Sequence, residues 1–117
     1  MSQRSDQVAE ELRRIISMIL LDDLSDPRMG FVTITRIELT EDLRYARVYY
    51  SVLGDEARQT ETEEALMDNK RFIKKLAVER INMKYAMEIK FERDKSVEHS
   101  FQIDSILKKI RNENKNK

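Results

Sequence analysis

The sequence predicts a single α+β domain in which helices cover one face of a small three-stranded sheet. Three observations lead to that class. Two segments are rich in β-branched and aromatic residues, and a third, shorter one alternates apolar with charged positions. The stretches before and between them repeat their apolar residues at helical spacing. A chain of 117 residues, 40% hydrophobic and 38% charged, is long enough for one core and too short for a second domain.

The first element runs from residue 5 to about residue 24. Val8, Ala9, Leu12, Ile15, Ile16, Ile19 and Leu20 recur at offsets of three, four and seven, the pattern of an amphipathic helix, and Ser5 is its candidate N-cap. The helix must stop within residues 25–30, which hold the only proline and one of the two glycines. Pro27 biases Asp26 toward an extended backbone, and Gly30 is expected to use a positive φ. Phe31–Leu39 (FVTITRIEL) and Tyr45–Leu53 (YARVYYSVL) read as strands, the second with Ala46, Val48, Tyr50 and Val52 on one face. The short polar connector of residues 40–44 predicts an antiparallel hairpin, which Gly54 closes. Acidic residues 55–64 lead into a second long helical region reaching about Met83, with Thr60 or Thr62 as candidate caps. Ala65, Leu66, Phe72, Ile73, Leu76 and Ala77 supply its buried side. Glu88–Arg93 (EIKFER) is the third strand, with Ile89 and Phe91 turned inward. Ile103, Ile106, Leu107 and Ile110 predict a short C-terminal helix that ends a domain of residues 1–111, and residues 112–117 a disordered polar tail.

Inventory narrows the function classes. The absence of cysteine excludes disulfide frameworks, thiolate zinc sites, iron–sulfur clusters and cysteine nucleophiles. The sole histidine, His99, stands beside Glu98 with no activated serine in a triad spacing, and is read as an ordinary surface residue. Two isolated glycines cannot build a phosphate-cradling loop. Asp22, Asp23 and Asp26 gather at a helix end, but beside a proline turn they are expected to be solvated loop acids rather than metal ligands. The expectation is a protein that is not an enzyme and needs no cofactor and no metal. The first ten residues carry Arg4, Asp6 and Glu10, and no apolar run approaches membrane-spanning length, so a cytoplasmic protein without signal peptide or membrane anchor is expected.

The 22 basic and 22 acidic side chains cancel overall but not locally. Residues 55–69 carry a net charge of −5 and residues 70–84 one of +5, so a neutral protein can still present one positive face. On a wheel of about 100° per residue, Lys70, Arg71, Lys74 and Lys75 share an arc of roughly 140° opposite Phe72, Ile73 and Leu76. Such a stripe can neutralise several backbone phosphates at once; the plainer alternative is a solvated helix face. Arg80 falls on the apolar side of the same wheel, so either the helix kinks or ends before it or its side chain snorkels past the core edge. Of the tyrosines, at most Tyr45 and Tyr49 share the face away from the core, a weak sign of base stacking. The internal methionines Met18, Met29, Met67, Met83 and Met87 are read as core filling.

Asp26-Pro27-Arg28-Met29-Gly30-Phe31-Val32-Thr33-Ile34-Thr35, followed by Glu38-Leu39, Asp42-Leu43, Ala46, Val48-Tyr49 and Ser51-Val52-Leu53-Gly54, resembles the N-terminal half of bacterial ribosome-binding factor A. The likeness takes in Arg4 and Val8-Ala9-Glu10 ahead of it. After it come Phe72-Ile73-Lys74, Leu76-Ala77, Arg80, Glu88-Ile89, Phe91, Asp94, Ser96 and Glu98, so that residues 4–107 are covered. The resemblance implies a KH-like domain of the second topological type, ordered helix, strand, strand, helix, kink, helix, strand. It also implies a non-catalytic factor that assists late maturation of the small (30S) ribosomal subunit by binding 16S rRNA in the pre-30S particle, assists 16S rRNA processing and is linked to growth in the cold. The family carries an Ala-x-Gly kink between its consecutive helices where this chain has Asn69-Lys70-Arg71. It commonly has proline where this chain has Met87, a loss expected to loosen the start of the last strand.

RNA contacts are accordingly expected at Lys70, Arg71, Lys74, Lys75, Arg80 and Lys84, with Arg28 as a further contact. The expected partners are 16S rRNA and free or immature 30S subunits, met by a monomer, with no membrane and no small-molecule substrate. The alternative is a protein-interaction module that docks a protein partner through residues 55–64 or the hairpin.

Overall fold

The computed structural model of the chain describes residues 3–82 and 87–96. Its elements are α1 (Gln3–Met18), β1 (Phe31–Leu39), β2 (Tyr45–Leu53), α2 (Glu56–Asp68), α3 (Lys70–Ile81) and β3 (Glu88–Arg93). A single π-helical turn, Ile19–Asp23, prolongs α1 and closes with the Leu24 amide on the Ile19 carbonyl. The order is the α+β, KH-like one expected from the sequence. The predicted helix at 103–110, the tail 112–117 and Met83, Lys84, Tyr85 and His99 lie outside the described residues.

β1 and β2 form the antiparallel hairpin, running from Phe31 opposite Leu53 to Leu39 opposite Ala46. β3 joins the other side of β2 in parallel, giving the order β1-β2-β3. A parallel neighbour needs a crossover, which α2 and α3 supply. The register shifts between Ile34 and Arg36, leaving Thr35 as the extra residue of a bulge. Its hydroxyl donates to Oδ2 of buried Asp94 at 2.6 Å, and Asp94 Oδ1 accepts from the Ser96 amide at 3.1 Å and its hydroxyl at 2.5 Å. In the hairpin connector Leu43 takes a φ of 62°, unusual for leucine, and its side chain is buried in the core. Asp42 Oδ1 steadies that turn by accepting from the Thr40 hydroxyl at 2.6 Å and the Arg44 amide at 3.2 Å.

The core fills the space between the inner sheet face and the helices. Ile34, Leu39, Ala46, Val48, Tyr50, Val52 and Ile89 meet Leu12, Ile16 and Ile19 from the first helical segment, Leu66 of α2, and Ile73 and Ala77 of α3. Met87 is wholly buried in this cluster, and beside it the Glu88 amide donates to the Arg44 carbonyl at 2.8 Å, tying the start of β3 to the hairpin.

Several local expectations change. Ser5 is buried inside the first turn of α1, which begins two residues earlier, so it is not the N-cap. The cap of α2 is Asp55, whose Oδ1 accepts the Arg58 amide at 2.8 Å. Thr60 lies within the helix, and Thr62 is wholly buried in it. Gly30 does not use a positive φ; a Cβ there would stand 3.0 Å from the Arg58 Nε, a tight contact that the Arg58 side chain must shift to relieve. The Gly30 amide donates to Thr62 Oγ1 at 3.3 Å, and the Thr62 hydroxyl donates to the Arg28 carbonyl at 3.3 Å. The positive φ belongs to Gly54, at 136°. Met18 and Met67 are mostly exposed on outward helix faces and fill no core.

Candidate nucleic-acid interface

The site begins with the junction of α2 and α3. Asn69 sits between them at φ −99° and ψ 6°, the bridge region of backbone space, and the hydrogen-bond ladder passes through it. The Asn69 amide donates to the Ala65 carbonyl and the Ile73 amide to the Asn69 carbonyl, each at 3.0 Å. Neither Asn69 nor helical Arg71 has a positive φ, so the backbone here does not require the glycine of an Ala-x-Gly kink.

What holds the junction is a side chain. Asn69 Nδ2 donates to the Ala65 carbonyl at 2.8 Å and to Asp26 Oδ2 at 3.0 Å, joining the kink to the loop between α1 and β1. That loop is a β-turn with Pro27 in second position, closed by the Met29 amide on the Asp26 carbonyl at 3.0 Å. Arg28 grips Asp26 with two guanidinium bonds, Nε to Oδ1 at 3.0 Å and Nη2 to Oδ2 at 2.7 Å, and with its own amide at 3.0 Å. These bonds, Arg28 foremost, hold the Asp26 carboxyl well below the usual carboxylate range, and Asp26 in turn raises Arg28. Arg28 Nη1 also reaches Asp68 at 2.8 Å, so turn and kink form one bonded unit.

Ile73 and Ala77 are the wholly buried residues of α3 and define its inward axis. Arg71 and Lys75 point away from that axis and are exposed, whereas Lys70 and Lys74 flank it and are half-buried. Lys74 Nζ donates to Glu88 Oε1 at 2.8 Å and lowers the Glu88 carboxyl; Lys70 contributes more weakly to the same effect. Arg80 leaves the core edge to meet Asp23 of the π-helical turn, Nη2 to Oδ2 at 2.7 Å, which is how the helix accommodates a cation beside its apolar side. Among the described residues, Lys70, Arg71 and Lys75 have no ion-pair partner, while Lys74, Arg80 and Arg28 are each paired with a carboxylate. Lys84 lies outside the described residues.

Phe72 was expected in the core and is 41% exposed. On the wheel it stands about 100° from Ile73 but about 60° from Lys75, a signal legible once the buried axis is known. With residues 23–28 and Asn69 it lines a groove of about 680 Å³ between the kink and the Asp26 turn. On the outer sheet face Tyr45 is exposed, but Tyr49 is covered by the Arg36 guanidinium 3.9 Å from its ring centroid and offers no open ring. Glu56, Glu61, Glu63 and Glu64 are exposed on α2. Among the described residues, no group of three or more histidines and acids could hold a metal ion, and no helix is long and apolar enough to cross a membrane.

Comparison with known proteins bears on the family and the fold. A family model for ribosome-binding factor A matches residues 4–107. A ribosome-binding factor A of Geotalea uraniireducens is 42% identical over 110 residues, covering 94% of this chain and 90% of its own. A solution structure from Thermotoga maritima, described as a ribosome binding factor A, superposes with a TM-score of 0.68 at 35% identity, over 79% of this chain and 88% of its own. A Thermus thermophilus ribosome binding factor A, fitted into a map of a 30S complex, shares the fold with a TM-score of 0.63 at 20% identity, over 78% of this chain and 96% of its own. With a family match spanning nearly the whole sequence and a relative at this identity, the chain belongs to the ribosome-binding factor A family.

Proposed function

We propose that this protein is a non-catalytic RNA-binding factor for late maturation of the small ribosomal subunit. It binds 16S rRNA in free or immature 30S particles as a cytoplasmic monomer, assists 16S rRNA processing and supports growth in the cold. Family membership supports ribosome binding, and the Thermus thermophilus relative fitted into a 30S complex has the same fold. The observation that carries the RNA reading is the set of α3 cations, Arg71 and Lys75 on its outward face and Lys70 flanking the buried axis, which lack ion-pair partners among the described residues. Such a face neutralises phosphates without chemistry on the RNA. Lys74, Arg80 and Arg28 serve it differently, by pairing with carboxylates nearby, Lys74 with Glu88, Arg80 with Asp23 and Arg28 with both Asp26 and Asp68.

Reversing Arg71 and Lys75 together to Glu tests the reading, since both are exposed and have no ion-pair partner among the described residues. Lys74 is a poorer choice, because a carboxylate there would face Glu88. The double variant is expected to keep its circular dichroism and to bind 30S particles at least about tenfold more weakly at moderate salt. Unchanged binding would place the footprint elsewhere. If reversal of Glu61 and Glu64 to Lys abolished binding instead, the acidic face of α2 would be docking a protein.

A further inference from the structure

We propose that the groove between the α2–α3 kink and the Asp26 turn receives an unpaired RNA base, stacked on Phe72, while Arg71 and Lys75 hold the phosphates beside it. This rests on the RNA-binding reading above and deepens it, naming single-stranded RNA with an accessible base as the ligand.

Phe72 is the starting point. A lone exposed apolar side chain needs no explanation, but this ring lines a concave surface and is not among the side chains packed against the core. Its sequence neighbour Arg71, and Lys75 one turn further on, are exposed and have no ion-pair partner among the described residues. An aromatic face with cations at its border is how proteins hold single strands, because the ring takes the base and the cations follow the backbone. A paired base, stacked inside its own helix, cannot use the ring.

The rest of the groove suits the same occupant. Two acids line it, and each is ion-paired, Asp23 with Arg80 and Asp26 with Arg28, while Asn69 also donates to Asp26, so neither presents a bare carboxylate to a phosphodiester chain. Leu24 and Pro27 add apolar wall. Asn69 spends its Nδ2 on two bonds, but its Oδ1 accepts none among the described residues, and the Ser25 hydroxyl has no partner there either. An open acceptor and an open hydroxyl beside an aromatic face are what a base edge requires.

The chain contains no tryptophan, so Phe72→Trp places a single indole in the groove. The full-length variant is titrated at low salt with an oligoadenylate of about ten nucleotides and with a blunt RNA duplex of the same length. Oligoadenylate is expected to quench the emission and the duplex to leave it unchanged. Phe72→Leu should weaken oligoadenylate binding by about 5- to 100-fold and spare duplex binding, with Phe72→Tyr restoring most of the affinity. An unquenched indole, equal quenching by duplex, or wild-type affinity in Phe72→Leu overturns the proposal. So does an emission change with protein concentration alone, which would mean that a second copy covers the groove. If Arg71→Glu with Lys75→Glu weakens binding while Phe72→Leu does not, the base site falls and the RNA-binding function stands. If the wild-type chain binds no RNA, both fall.

Discussion

Asp94 is 4% exposed and joins two edges of the sheet, accepting hydrogen bonds from Thr35 in the bulge of β1 and from Ser96 just after β3. Those bonds, Ser96 first and Thr35 second, hold its carboxyl below the ordinary aspartate value. A carboxyl depressed in the folded state stabilises the fold fully above its unfolded value of about 3.9, and that stabilisation is lost as pH falls through the folded value. Asp94→Ala removes three hydrogen bonds to a buried carboxylate and is expected to cost about 1–3 kcal/mol at neutral pH by urea denaturation. The gap between wild type and variant should narrow below about pH 4; a gap independent of acid would mean that packing, not the carboxylate, is responsible. Little of this was legible in the sequence, where Asp94 is one of 22 acids. Caps and close approaches share that limit. Asp55 rather than Thr60 or Thr62 caps α2, and Gly30 lies tight against the Arg58 side chain rather than at a positive φ, because both depend on where a neighbouring element begins.

At the scale of elements, the strands and α1 were readable because period-two and period-3.6 patterns follow from which face each element buries. The hairpin partners follow from the same alternation, with Ala46, Val48, Tyr50 and Val52 all buried. Periodicity did not show the break at residue 69; the family resemblance implied it, and there the chain replaces backbone freedom with a side-chain clamp. Asn69→Ala should therefore loosen the kink, with an expected loss of about 1–2 kcal/mol in chemical denaturation for the two bonds removed. Asn69→Gly should be no better, since a φ of −99° gives glycine no advantage and its added chain entropy is a cost. A stable Asn69→Gly variant would contradict the clamp.

For the whole molecule, the arrangement of charge determines how RNA binding responds to salt. Of the seven predicted cations, Lys70, Arg71 and Lys75 have no ion-pair partner among the described residues, and with these three on phosphates the logarithm of affinity for single-stranded RNA should fall against the logarithm of salt with a slope of about −2. Were all seven predicted cations engaged, the slope would approach about −5, and a titration separates the two. Composition and periodicity by themselves determined a single α+β domain, three strands in their order, a cationic helix face and the absence of cysteine chemistry. These follow from local burial patterns and residue counts. Only the tertiary structure decided which cations remain open, because Asp23, Asp68 and Glu88 reach Arg80, Arg28 and Lys74 from other elements. It also decided that Phe72 faces a groove and not the core. A helix wheel gives directions around one axis, and only packing against the sheet sets which of those directions is in.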